Sequence, residues 1–482
     1  MLTAIHLVFG QSHDGGIRGI CWFLELSQLD RFVAPSYGSQ QNVASQVEKF
    51  IGQFGHDEDL RLAQQMPHCD ISLCEDETFH PQICLVAIEP VSNFLILEAY
   101  AEKRDAATWN AAVDAALEPF SVTVTQCVSD QATALLSHAQ MHLGVHHSPD
   151  VFHVQYEISK ATSLALNRQT EKAKNEFDQT KQEHQENTAK RQAFEGQWPC
   201  SVRELDLEKK LIQQAPDLER KLHQAGLRFE ETRQRQRRAR DARCGISKDY
   251  HPFDLNTGTP MDSSQVNARL ENHFKTLHAI AEEASLSQGT HDRIAKAERV
   301  LPSMVATIVF FWTMIELIFK RLDCSDDVKM IWKEELIAGY YIACVAHRCS
   351  ESDEAKRLTD LSESILARAR SPDRAFWQLP ESIRLELEQQ AHQAANIFQR
   401  SSSCVEGRNG QLSLRHHGLR ELTPSKLQAL RVIHNYVIRR PDGTTAAERF
   451  FGSKPRDLFE WLLVQLPMPA RPRNKRNQPT AA

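Results

Sequence analysis

Over the first 67 residues the apolar positions recur at helical spacing, in the clusters Ile20 to Leu24 and Val43, Val47, Phe50 and Ile51, on either side of the turn-like Ala34 to Gly38. Ser39 is placed to cap the second of these helices. Two helices around such a turn are compatible with a remnant of a helix-turn-helix DNA reader, although most two-helix turns are plain packing units. From Asp70 the period becomes extended. Three apolar runs, 71–79, 83–88 and 94–100, are separated by His80 to Gln82 and by Pro90 to Asn93, which predicts an antiparallel meander. A helix over 106–117, a strand over 122–128, a helix over 132–143 and a short strand over 151–154 follow.

That order, three strands and then helix, strand, helix, strand, is the ribonuclease H-like order, in which the later strands lie parallel to the first and need helical crossovers. After Tyr156 the extended pattern stops. Residues 157–243 are rich in Glu, Lys, Gln and Arg, with Leu207, Leu211, Leu218, Leu222 and Ala225 at three- or four-residue steps, so a long coiled-coil-like hairpin is expected. Gly196 to Pro199 signals its bend, and Ser201 with Glu204 forms a capping box for the second arm. Helical patterning continues through Phe398. The fold class expected is therefore α/β: a ribonuclease H-like mixed sheet interrupted by a large all-α insertion, plus a small helical N-terminal region. The expected boundaries are 1–67 for that region, 68–156 for the first part of the core, 157–400 for the insertion, 401–460 for completion of the core and 461–482 for a basic tail.

A chain of 482 residues with 41% hydrophobic and 25% charged positions has enough apolar surface for a sizeable core, which excludes a disordered tail protein. The 11 cysteines form no CxxC pair, and with no signal peptide at Met1 they read as reduced thiols in a cytoplasmic protein. The most apolar stretch, 305–319, is interrupted by Thr307, Thr313 and Glu316 and is shorter than the roughly 20 residues of a membrane span, so it reads as a core helix and no membrane partner is expected. The net charge of −6 hides an asymmetry. Residues 401–482 carry 14 Lys/Arg against 6 Asp/Glu, a local net of +8, so the remainder carries −14. Arg233 to Arg240 is a second basic run, which on a helix is more often a solvated face than a phosphate contact.

In the expected topology Asp76 lies on the first strand and Asp130 ends the fourth, its neighbour, so the two carboxylates converge. Converging carboxylates repel unless a cation neutralises them. Two Mg²⁺ ions about 3.5–4 Å apart would need a shared aspartate and one further carboxylate each. The candidate third acid is Glu406, with Ser401 to Ser403 capping its helix. Glu75, Glu77, Glu89 and Glu98 compete for the same role. Cys69 and Cys74, or His142, His146 and His147, lack the second pair that a zinc site needs.

The segments Cys74 to Phe79 (CEDETF), Val128 to Ala132 (VSDQA), Asp150 to His153 (DVFH) and Val405 to Asn409 (VEGRN) resemble the DDE transposases of bacterial insertion sequences, in the group whose core is split by a helical insertion before the final glutamate. The resemblance spans about residues 70–450. It implies that Asp76, Asp130 and Glu406 are the catalytic, metal-binding triad, and that Asp150 and His153 form a D-x-x-H element near the active site. It also implies two Mg²⁺ ions, with Mn²⁺ as a substitute, and double-stranded DNA, both element ends and target, as partner. A homo-oligomer on DNA in a bacterial cytoplasm, associated with the nucleoid, goes with that reading. Arg408 and Asn409 are then expected to reach DNA phosphates, with Arg415, Arg439 and Arg440 continuing a basic face. The rival expectation is an inactive or truncated transposase derivative that binds DNA or oligomerises. A junction-resolving nuclease is a third, disfavoured by the insertion.

Overall fold

The extended runs build one five-stranded mixed sheet in the computed structural model, which describes residues 1–12, 15–79, 82–195, 201–419 and 422–472. Its strands are β1 (Cys69–Phe79), β2 (Ile83–Glu89), β3 (Phe94–Ala101), β4 (Val122–Ser129) and β5 (His146–Pro149), in the spatial order β3-β2-β1-β4-β5. Short links make the β1/β2 and β2/β3 pairs antiparallel. Crossovers through the helix Ala106–Leu117, and then through Thr133–Ser137 and the turn after it, set β4 parallel to β1 and β5 parallel to β4.

The fifth strand is not where the sequence put it. It occupies 146–149, and Val151 opens a long helix instead of the expected strand over 151–154. Val151, Val154, Ile158 and Ala161 are all buried, a helical stripe whose first four residues alone cannot be told from a strand.

Alternation along the strands separates two cores. Ile71 and Leu73 of β1 join Trp109, Val113, Leu135, Ile51 and Phe54 on one face. Cys74, with Val86 and Val128, joins Val405 and Leu412 of the helix Ser403–Leu419 on the other. The N-terminal segment contributes to the first face. Ser36 caps the helix Tyr37–Ala63 by accepting from the Ser39 N–H, so Ser39 lies inside the helix and does not begin it. This helix packs along Pro424–Tyr436 so closely at Gly55 that a Cβ there would lie 2.3 Å from Val432 Cγ2. Much of the expected reader helix is thus spent on the core.

By its contacts the chain forms two units, Met1–Asp150 with Gln399–Ala482, and Val151–Phe398. Residues 1–67 fall within the first. The second unit begins six residues before the expected 157 because its first helix does. That unit opens with a hairpin of a 44-residue helix (Val151–Phe194) and a 48-residue helix (Val202–Asp249). Ser201 and Glu204 form the capping box expected of them; the bend signal at 196–199 lies outside the described residues. The arms pair with each other. Phe177 and Phe229 stack at 6.0 Å, Asn187 Nδ2 donates to the Leu211 carbonyl at 3.2 Å, and Leu211 and Ala225 are buried while Leu207 remains exposed. Further helices of this unit enclose Phe253, Phe311, Trp332 and Tyr341. The segment Gln288–Arg321 is long and apolar enough to cross a membrane, and within it the helix Leu301–Arg321 buries Met304, Ile308, Phe311 and Ile315 in that core. Every described cysteine is free.

Candidate active site

β1 and β4 run side by side with Cys74 opposite Val128. Asp76 comes two residues further along β1, on the face of Cys74 by alternation, and Asp130 directly follows the last residue of β4. Asp76 Oδ1 accepts from the Glu77 N–H at 2.8 Å, and Asp130 Oδ1 from the Ala132 N–H at 2.9 Å. Glu406 stands in the first turn of Ser403–Leu419, the helix whose Val405 and Leu412 close this face. Asp76 feels the other two carboxylates. Burial, then the Glu406 carboxylate, and to a smaller extent those of Asp130 and Glu77, push the Asp76 carboxyl up to about 7, against the Glu77 N–H bond that favours its ionised form.

The position of Glu406 is fixed from β5. Asp150 is buried at the end of that strand, and its carboxylate accepts from Ser402 N–H at 3.3 Å and from Ser402 Oγ at 2.8 Å, one residue before the helix. The Cys74 thiol donates to the Ser401 carbonyl at 3.6 Å, and Gln126 Nε2 donates to the Gln399 carbonyl at 3.0 Å. β1, β4 and β5 therefore each hold one link to the segment that delivers Glu406. Asp150 was singled out by its sequence motif, Cys74 as the first residue of CEDETF, and Ser401 and Ser402 as part of the serine run before the helix. Gln126 and Gln399 carry no motif, because each matters through a partner far away in the chain.

All five expected DNA contacts make hydrogen bonds within the protein. Arg408 grips Glu98 of β3 with two bonds, Nε to Oε1 at 2.6 Å and Nη2 to Oε2 at 2.7 Å, the side chains being 5% and 0% exposed. It points back into the sheet because it lies two residues from Glu406 and one turn before the buried Leu412, on the helix face turned to the strands. Asn409 Nδ2 donates to Asp76 Oδ2 at 2.9 Å, and its Oδ1 is buried with no hydrogen-bond partner among the described residues. Arg415 donates to the Gln11 carbonyl at 2.9 Å. Arg439 donates to the Gly443 carbonyl at 2.5 Å, while Arg440 reaches the Val91 carbonyl at 3.4 Å, both in an exposed turn. The D-x-x-H element is divided: Asp150 belongs to the sheet unit, and His153 is an exposed residue of the helical one.

The competing acids have other occupations. Glu75 projects from the opposite face of β1, 3.2 Å from His138 Nε2. Glu77 accepts from Trp109 Nε1 at 3.3 Å, and Glu89 accepts from the backbone N–H groups of Val91 and Ser92 in the β2/β3 turn. His147 lies beside Asp130, with Nε2 2.8 Å from Ser129 Oγ; burial lowers its pKa to about 4, so it stays neutral. Its sequence signal was a lone histidine pair.

Asp76, Asp130 and Glu406 offer an all-oxygen donor set, the chemistry that suits Mg²⁺ or Mn²⁺. Among the described residues no three His, Cys, Asp or Glu side chains are already drawn close enough to hold one ion. The raised pKa gives a test. Protonated Asp76 favours the folded state, so its stabilising contribution is complete below about pH 4 and is lost as pH rises through about 7. A cation needs the ionised form. Mg²⁺ at about 100 times its Kd should therefore raise Tm by about 5–10 °C at pH 8 and by much less at pH 5.5, read by differential scanning fluorimetry. Equal shifts at both pH values would remove Asp76 from the cation site.

A family profile described as a family of unknown function (DUF6399) matches residues 332–478. The matched stretch takes in Glu406, Arg408 and Asn409 and leaves out Asp76 and Asp130. No curated protein matches the chain.

Proposed function

We propose that the chain is a DDE-type transposase with a ribonuclease H-like catalytic core, cutting DNA at the ends of an insertion sequence and joining those ends to target DNA. The observation that carries this reading is the electrostatic coupling of Asp76 to Glu406 and Asp130 at one end of the sheet β3-β2-β1-β4-β5, with Glu406 reached only after an inserted helical unit. In the first step a water oxygen attacks the scissile phosphorus in line, the bond to the 3′ oxygen breaks, and that oxygen leaves as a 3′ hydroxyl. In the second, this hydroxyl attacks a phosphodiester of the target, exchanging one P–O bond for another. Neither step needs a covalent protein intermediate.

Asp76, Asp130 and Glu406 would hold two Mg²⁺ ions, with Mn²⁺ as a substitute, which when bound supply an acidified water and neutralise charge on the leaving oxygen. The chain's own part is orientation. Asn409 fixes the rotamer of Asp76, and Asp150 through Ser402 fixes the entry of the Glu406 helix. Double-stranded DNA is the partner, the active form is a homo-oligomer assembled on it, and the location is the cytoplasm, at the nucleoid.

Labelled duplexes from the flanks of the chain's own coding region, incubated with the purified protein and Mg²⁺, should show strand cleavage at the element end and then joined products. Binding without cleavage in either Mg²⁺ or Mn²⁺ would instead identify a non-catalytic derivative.

A further inference from the structure

The basic run 233–243 on the second arm of the hairpin has a specific geometry. Arg233, Arg237 and Arg240 stand at i, i+4 and i+7 and, with Arg243, line a groove of about 370 Å³ whose other wall is Thr162 and Ser163 of the first arm. Among the described residues no carboxylate lines it. The arginines of the run that face elsewhere are paired: Arg235 with Glu231 at 3.6 Å, and Arg238 with Glu283 at 2.8 Å. Within the groove, Arg233 has an exposed contact with Glu230 at 3.5 Å, and Arg243 donates to Ser159 Oγ at 2.7 Å. Arg237 and Arg240 have no ion-pair partner among the described residues, and both are exposed. A run that neutralises its other arginines and leaves these two side by side in a concave, acid-free surface keeps positive charge available for an anion.

We propose that this groove binds the phosphate backbone of duplex DNA. Seven residues of helix rise about 10.5 Å, and three phosphate-to-phosphate steps of one strand advance about 10.2 Å along a duplex axis, so the outer arginines of the row, Arg233 and Arg240, match phosphates three steps apart, with Arg237 facing the backbone between them. A single strand is held by aromatic side chains on which its bases stack, and none lines the groove. The choice of DNA over RNA rests on the function proposed for the carboxylate site; the phosphate-binding geometry does not.

The full-length chain and the double variant Arg237→Gln/Arg240→Gln are titrated with a labelled random-sequence duplex from 50 to 200 mM salt, by fluorescence anisotropy. Both side chains are exposed, so Tm should not move. Losing two phosphate contacts should lower the slope of log K against log salt by about 1.8, making the affinity lost across that range about tenfold smaller than in the wild type. Arg235→Gln, on the paired side of the helix, should leave the slope unchanged. An unchanged slope in the double variant, or an equal change in Arg235→Gln, overturns the groove. So does a wild-type chain that binds no duplex. Tighter binding of a duplex RNA of the same sequence overturns the assignment to DNA. The carboxylate site is scored separately: cleavage with an unchanged slope keeps that function and rejects the groove, whereas a lowered slope without cleavage does the reverse.

Discussion

Replacing Arg408 with alanine should cost about 3–5 kcal/mol of stability, because it strands the fully buried Glu98 carboxylate without its partner. For a unit of this size the loss corresponds to a fall in Tm of about 6–20 °C, measured by calorimetry. Glu98→Ala should do comparable damage by stranding the guanidinium. The double substitution Glu98→Leu/Arg408→Met should recover most of the loss, since a buried ion pair and apolar side chains of similar volume are close in net stability. A phosphate-binding arginine would give the opposite pattern: unchanged Tm, weaker DNA binding and no rescue by the double variant.

Asp76→Asn, Asp130→Asn and Glu406→Gln should each reduce DNA cleavage by at least about 10³-fold, since stabilising a phosphoryl-transfer transition state through such ligands is worth several kcal/mol. Their effect on folding has the other sign. Asn in place of Asp76 removes a carboxylate that burial and three neighbouring acids disfavour, so Asp76→Asn should be more stable than wild type at pH 8 and about equal to it at pH 4. Asn409→Ala acts one step removed, through the orientation of Asp76, and should lose about 10- to 100-fold in cleavage. A Glu406→Gln variant that cuts at near the wild-type rate would remove Glu406 from the triad.

The meander, the crossovers and the long hairpin were legible because each rests on a period that local sequence carries: alternation through Leu73 and Cys74, heptad-like spacing through Leu211, turn residues between strands. Asp76 and Asp130 could be paired in advance because parallel neighbours place equivalent positions side by side. What local pattern does not carry is direction across long separations. Arg408 and Asn409 read as DNA-phosphate contacts until the helix is laid on the sheet, where one meets Glu98 and the other Asp76, each more than 300 positions away. Val151 was misread for a related reason: four apolar and polar positions are too few to distinguish two periods, and the burial that decides between them comes from Ile158 and Ala161.

The order in which the chain is made has a consequence for the Asp150–Ser402 link. Asp76, Asp130 and Asp150 leave the ribosome long before Glu406, and at about 5–20 residues per second the roughly 256 positions from Asp150 to Glu406 take about 13–50 s to synthesise. Throughout that interval the sheet face bearing Cys74, Val86 and Val128 lacks the Val405 and Leu412 that later cover it. A nascent chain thus carries two of its three acids and an open apolar face, and gains both its third acid and its cover in a single late event. Assembly of the site is thereby tied to completion of the polypeptide, and a chain cut short in the helical unit would lack the third carboxylate and keep an apolar face open to aggregation.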